Sequence, residues 1–426
     1  MSNKTGYLPV AAALAGLCFA VTPLRAQPAA GLQTARRLAD AAEPVRVVCF
    51  GDSITGIYYH SGNRRAWPEM LKVALNRLYP KADVTVFNAG VSGNTSAQGL
   101  ARMQKDVLDR KPHLTVIMFG MNDLAYGAVA PEQDASPKAA FVNNLKTMAG
   151  RCRAAGSEVI LCTQNPVYAD ALPRRPPERV GEFAALIRQT GAELQVPVAD
   201  VYTEWKKLGE TDARAWRLLM SETIHPAMAG HKRMAERVAE TISGRAVSLA
   251  DVQPEQPVCG GLAARLKQGK PVTLMVSAPL EAGARAMVLR RFPAAEVTVV
   301  AIPEKAASLE ALVAGYKAVR ARKPDLALVS LAPDFLAVAD EESFIRQSAW
   351  MVNWAIPFGG VAWTAVGVDP ALVYPGLTRQ QREGSELLRE IVRGHDLDWI
   401  ARPSGAPVTL QAALDQWFDA QVGKGQ

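Results

Sequence analysis

Residues 44–53 read PVRVVCFGDS, a short β-branched, apolar run that ends on Gly51-Asp52-Ser53. Six such residues bounded by proline and glycine fit a strand buried on both faces. The pattern recurs along the chain: VRVVCF (45–50), DVTVFN (83–88), HLTVIMF (113–119), EVILC (158–162) and PVADV (197–201). Helix-period segments at 67–79, 97–110, 139–155 and 182–194 lie between them, and a closing helix is expected at 228–242. Strands separated by helices of this length predict an α/β fold whose parallel sheet is covered on both faces. In such sheets ligands bind beyond the carboxyl ends of the strands, where strand order reverses. Ser53 is at such an end and can serve as a nucleophile there.

A second copy follows. PVTLMVSAPL (271–280) lines up with PVRVVCFGDS (44–53), and FPAAEVTVV (292–300) with YPKADVTVF (79–87). Residues 312–337 match residues 100–125 without a gap, so the offset of 212 or 213 holds across two blocks. The stretch 243–270 breaks both periodicities with Pro254, Pro257, Gly260 and Gly261, and the domain boundary is placed there. The expected organisation is a signal segment at 1–26, an N-terminal segment at 27–43, a first domain at 44–245, a linker at 246–270 and a duplicate at 271–426.

Composition removes other classes. With 49% hydrophobic residues the 426-residue chain is too apolar for disorder, and its 48 Lys+Arg against 41 Asp+Glu are scattered without a basic run. No nucleic-acid partner is expected. Residues 1–26 carry Lys4, an apolar stretch at 7–21 and Leu24-Arg25-Ala26 before Gln27, which reads as a secretory signal. The expected location is secreted or periplasmic, without a stable membrane span after cleavage; a retained N-terminal anchor is the alternative. Cys49 and Cys162 fall inside strand-like runs and read as small buried hydrophobes. No C-x-x-C pair, H-E-x-x-H or phosphate-binding loop occurs, and Glu222-x-x-His225 has no partner cluster. No metal and no cofactor are expected.

Three further elements accompany Gly51-Asp52-Ser53. Asn88-Ala-Gly-Val-Ser-Gly93-Asn-Thr-Ser96 follows the second strand, Gly120-Met-Asn122-Asp123 the third, and Glu222-Thr-Ile-His225-Pro226 precedes the closing helix. This ordered set resembles the SGNH (GDSL) hydrolase family over about residues 45–242. The resemblance implies a flavodoxin-like three-layer α/β/α fold and ester hydrolysis through an acyl-serine. It implies Ser53 as nucleophile, His225 as general base, and Ser53, Gly93 and Asn122 as the oxyanion donors, with Asp52 and Asp123 in support. Where the family has Asp three residues before the histidine, this chain has Glu222, expected to orient His225. Donors already aimed at the developing oxyanion, with an imidazole that titrates near neutrality, suit that chemistry.

On the loop after the nucleophile, Tyr59 and His60 are candidates for the substrate mouth, with Tyr58 beside them. His231 reads as helix surface. In the duplicate, Gly51, Asp52 and Ser53 align with Ala278, Pro279 and Leu280, and Asn122 with Asp334, so that copy is expected to be non-catalytic. Trp350 and Trp354, at i and i+4, read as packing. The expected substrate is an acylated small molecule or polysaccharide, with carbohydrate O-deacetylation foremost. A lysophospholipase or acyl thioesterase is the alternative within the class, and an inactive glycan-binding or cell-wall-binding protein is the alternative outside it.

Overall fold

The computed structural model describes residues 31–126, 135–170, 174–360, 362–401 and 408–423. The signal-segment expectation for residues 1–26 lies outside them. The first unit has strands β1 (Val45–Gly51), β2 (Val84–Gly90), β3 (Leu114–Met118), β4 (Glu158–Cys162) and β5 (Val198–Ala199), paired in parallel in the order β2-β1-β3-β4-β5. Its helices are α1 (Gln33–Asp40), α2 (Trp67–Leu78), α3 (Ser96–Asp106), α4 (Asp123–Tyr126), α5 (Ala135–Ala154), α6 (Pro177–Leu194), α7 (Val201–Thr211), α8 (Ala213–Leu218) and α9 (Met228–Ser243). Every residue of β3 is buried, as the unbroken apolar run requires. Cys49 and Cys162 are buried on β1 and β4 with free thiols.

The second unit has β6 (Val272–Ser277), β7 (Val297–Ile302), β8 (Leu326–Val329), β9 (Thr364–Val368) and β10 (Asp398–Ile400), in the order β7-β6-β8-β9-β10. That is the first sheet's order repeated. The register repeats too: Val45 pairs with Val84 and Val47 with Leu114, as Val272 pairs with Val297 and Leu274 with Leu326. The offsets read in the sequence are therefore the offsets of the ladders. Its helices are α10 (Gly260–Lys267), α11 (Glu281–Arg291), α12 (Leu309–Gly315), α13 (Lys317–Arg322), α14 (Pro333–Leu336), α15 (Glu341–Ala355), α16 (Pro370–Val373), α17 (Arg379–Gly394) and α18 (Leu410–Gly423). The segment corresponding to the histidine block includes residues 402–407, outside the described ones. Among the described residues no helix is long and apolar enough to cross a membrane.

Several local expectations need correction. The helix expected at 182–194 starts at Pro177, because a proline at the first helical position leaves no amide unsatisfied. The helix expected at 97–110 ends at Asp106, and a separate 3₁₀ turn covers Leu108–Arg110. The strand expected at 197–201 is only Val198–Ala199, and α7 starts at Val201; beyond it α7 and α8 fill a stretch given no element, each started by an aspartate: Asp200 accepts from the Thr203 amide at 3.2 Å and Asp212 from the Ala215 amide at 2.9 Å. The stretch read as a linker contains α10, whose Leu262 and Leu266 join the second unit's core. His231 is fully buried, not on the surface, because α9 turns that face onto α2 and the loop after β1.

Candidate active site

β1 lies between β2 and β3, so the chain leaves its carboxyl end toward opposite sides of the sheet and a crevice opens there. Ser53 follows β1, Gly93 follows β2, and Asn122 follows β3. Together with His225, Tyr58, Tyr59, His60, Ser92, Met121, Arg175, Ile224 and Phe358 they line one cavity of about 180 Å³. Of the residues singled out from sequence, Ser53, Tyr59, His60, Gly93, Asn122 and His225 are therefore brought together around one cavity.

Ser53 Oγ is 2.8 Å from His225 Nε2. The other ring nitrogen, Nδ1, meets Glu222 Oε1 in a very short contact. Glu222 is buried, and its carboxylate also accepts from the His225 amide at 2.8 Å and the Ile224 amide at 3.1 Å. The longer side chain thus closes its own loop and still reaches the imidazole. Burial alone pushes this carboxyl up; the charge of His225 and the hydrogen bonds outweigh it, and the net direction is down. A carboxylate on Nδ1 fixes the proton there and leaves Nε2 to accept from Ser53.

Asn122 is held from two sides. Arg175 donates to its Oδ1 at 3.0 Å and to the Met121 carbonyl at 3.0 Å, which assigns Nδ2 as the donor. Nδ2 donates to the Asn94 carbonyl at 3.0 Å and meets Asp52 Oδ2 only at 3.5 Å, long for such a bond. Asp52 accepts from the Ile54 amide at 2.9 Å, and burial pushes its carboxyl up to about 6. Asp123 accepts from the Ser96 amide at 3.0 Å and ties the third block to the start of α3. Gly93 has φ +76 and open space where a Cβ would stand, so its glycine is required by backbone conformation rather than by crowding.

Beneath the nucleophile runs a chain of imidazoles that the sequence did not reveal. The Trp67 amide, free at the start of α2, donates to His231 Nδ1 at 3.2 Å, so His231 carries its proton on Nε2. That proton faces His60 Nδ1 at 3.2 Å, and His60 Nε2 donates to the Ser53 carbonyl at 3.1 Å. Burial lowers both imidazoles, His231 to about 3, and the nearby His225 lowers them further. His60 stacks on His225 with ring centroids 4.6 Å apart. Tyr59 and His60, expected at the mouth, thus divide: both line the cavity, but Tyr59 stands in its wall while His60 is almost fully buried and bonded to the Ser53 carbonyl.

Arg102 is a further positioning group. It donates to the Gly51 carbonyl at 2.8 Å, the Ala89 carbonyl at 2.9 Å and Asn94 Oδ1 at 2.7 Å, joining the ends of β1 and β2. Its guanidinium lies 4.6 Å from the Phe50 ring centroid. Sequence alone gave no signal for Arg102, Arg175 or Phe358.

Residues 49–233 match the GDSL-like Lipase/Acylhydrolase family. Esterase TesA of Pseudomonas aeruginosa is 31% identical over 204 residues, covering 47% of this chain and 89% of that one. Uncharacterized lipoprotein YqeF of Bacillus subtilis is 34% identical, with 42% of this chain and 80% of its own covered. Acetylxylan esterase of Geobacillus stearothermophilus is 26% identical over 38% of this chain and 73% of its own. The ordered blocks, the strand order and these likenesses agree: the chain belongs to the GDSL-like lipase/acylhydrolase family, a family of ester-bond hydrolases.

Proposed function

We propose that residues 44–245 form an exported serine esterase that removes small acyl groups, foremost acetyl groups of carbohydrate, while residues 271–426 carry no catalytic set of their own. The observation that carries the reading is the Ser53 Oγ to His225 Nε2 distance of 2.8 Å, with Glu222 on the far ring nitrogen. Ser53 Oγ attacks the ester carbonyl as its proton passes to His225 Nε2. The carbonyl π pair moves onto oxygen, and the oxyanion meets the amides of Ser53 and Gly93 and the Asn122 Nδ2 hydrogen that Asp52 holds only loosely. Collapse breaks the C–O bond, and His225 returns its proton to the departing alkoxide. Water then repeats the sequence on the acyl-serine, releasing the acid and restoring Ser53. Glu222 stabilises the imidazolium in both halves.

A cavity of about 180 Å³ lies below the usual size of ligand pockets, which supports a short acyl group over a long chain. The acetylxylan esterase among the relatives supports a carbohydrate substrate. The sequence of residues 1–26 supports export, as does the lipoprotein relative.

The test is hydrolysis of p-nitrophenyl esters of two to twelve carbons by the protein and its Ser53→Ala variant. Expected is Ser53-dependent turnover that is highest on acetate and falls steeply with length. A long-chain optimum moves the substrate to lipids. Absence of both turnover and fluorophosphonate labelling of Ser53 would favour the inactive binding-protein alternative.

A further inference from the structure

The mouth of the cavity is not built by one unit. The link between α5 and β4 has three residues, 155–157, whereas its counterpart in the second unit, between α15 and β9, has eight, 356–363. The longer loop reaches the catalytic crevice. Its Phe358 carbonyl accepts from the Tyr59 amide at 3.1 Å, and Asn63 Nδ2 donates to the Gly360 carbonyl. The base of the loop is fixed as well. Trp363 Nε1 donates to the Ala355 carbonyl at 2.9 Å, and Arg320 donates to the Ile356 carbonyl at 3.1 Å while its guanidinium lies 5.1 Å from the Tyr59 ring centroid.

What the loop delivers is one bare aromatic ring. Among the described residues the large apolar side chains left exposed are Val91 and Phe358, and Phe358 is 53% exposed. Its ring is 5.6 Å from both Tyr58 and Tyr59, and all three line the cavity that holds Ser53. Tyr59 in turn stands edge-on to His225 at 6.3 Å. His225 must protonate the departing oxygen, so the alcohol half of the ester leaves on the side this aromatic cluster occupies. A flat ring with an apolar face suits such a wall, and the small cavity keeps the acyl side short.

We propose that the second unit is part of the substrate site: residues 356–360, which follow α15, place Phe358 with Tyr58 and Tyr59 as a platform for the ring face of a pyranose alcohol, selecting cyclic over acyclic acetates. The proposal deepens the esterase reading and rests on it.

The experiment compares fully acetylated methyl xylopyranoside with glycerol triacetate on the full chain, for wild type, Phe358→Ala and Phe358→Tyr. Expected for Phe358→Ala is a KM about tenfold higher on the pyranoside with kcat held within about twofold, a much smaller rise of KM on the triacetate, about twofold at most, and recovery of the pyranoside KM in Phe358→Tyr. Equal loss on both substrates, or no loss on either, overturns the proposal. So does a gain on p-nitrophenyl octanoate, which would make Phe358 a stop on the acyl side. Calorimetric binding of the same pyranoside to Ser53→Ala, with and without Phe358→Ala, needs no turnover. If binding depends on Phe358 while the wild type hydrolyses nothing, the esterase reading alone has failed.

Discussion

At the scale of single residues, the site depends on keeping each proton on a chosen nitrogen. Glu222 stands where the family has aspartate, and its extra methylene is accommodated because the same carboxylate accepts the amides of Ile224 and His225. Glu222→Gln keeps much of that loop but loses the charge facing the imidazolium. We expect kcat to fall about a hundredfold or more with the melting temperature little changed, measured beside His225→Ala. If Glu222→Ala keeps nearly full turnover while His225→Ala does not, Glu222 has no part in orienting the base. Its folded value lies below the ordinary 4.5, so the stability it contributes is present above about pH 4.5 and is lost as pH falls through the lower value. His231 titrates with the opposite charge change: from an ordinary 6.5 it is lowered to about 3 by burial and by His225. The unfolded chain takes up that proton as pH falls below 6.5 and the folded one does not. The native state therefore loses about 1.4 kcal/mol per pH unit from this group between roughly pH 6 and 3. His231→Gln, which has both an acceptor and a donor, removes that slope. Its unfolding free energy relative to wild type should improve by about 2 kcal/mol between pH 7 and pH 5 in denaturant titrations. A constant difference across that range would mean His231 is not held neutral.

At the scale of elements, catalytic groups sit on the turns that leave β1, β2 and β3, and glycines set those turns for different reasons. Gly120 has φ +130, and an added Cβ would stand 2.0 Å from Gln164 Nε2; Gly93 has φ +76 and nothing within 4 Å. Gly93→Ala should cost only the left-handed backbone, about 1 kcal/mol, whereas Gly120→Ala adds a clash beneath Met121 and Asn122 and should cost about 3 kcal/mol or more. Thermal melts of the two variants check the order, and equal shifts would refute it. These turns also mark how far the sequence could be read. Strands such as VRVVCF and HLTVIMF announce themselves because full burial demands unbroken apolar runs, and the blocks beyond them carry the catalytic residues in order. The duplication was equally visible through its constant offset, whereas which strands pair, and in what register, came only from the structure. Helices α7 and α8 were not read: α8 has no fully buried residue, α7 buries only Val201 and Trp205, and both begin on single capping aspartates. His231 was misread because one histidine on an amphipathic helix looks the same whether it meets water or another imidazole.

At the scale of the whole molecule, the two units meet along a seam that reaches the catalytic loop, which sequence could not disclose because docking leaves no periodic trace. The seam includes Arg65 paired with the buried Asp396 at 2.8 Å, and Arg346 paired with Asp170 at 2.6 Å. Removing the Asp396 carboxylate leaves a largely buried guanidinium with the Gln253 carbonyl but no counter-charge from this partner, so Asp396→Ala should cost about 3 kcal/mol in unfolding experiments. Closer to the chemistry, the buried Asn353 of α15 donates to the Ser221 carbonyl at 3.0 Å and accepts from Ser221 Oγ at 3.0 Å. Ser221 immediately precedes Glu222, and its amide donates to the His225 carbonyl at 2.9 Å, so the second unit grips the loop that carries the base. Asn353→Leu keeps the branching at Cγ, with bulkier methyl groups, but leaves the Ser221 carbonyl and hydroxyl without their Asn353 partner. The loop is then free to shift, and a displacement of well under 1 Å at His225 suffices to weaken proton transfer. The expected result is a fall in kcat of about tenfold or more, equal on cyclic and acyclic acetates, with KM unchanged. That pattern differs from the one expected of Phe358→Ala, which raises KM chiefly on the cyclic ester. Steady-state kinetics of both variants on both substrates separates the two roles of the second unit, and an unchanged kcat for Asn353→Leu would show that the histidine loop holds its place without it.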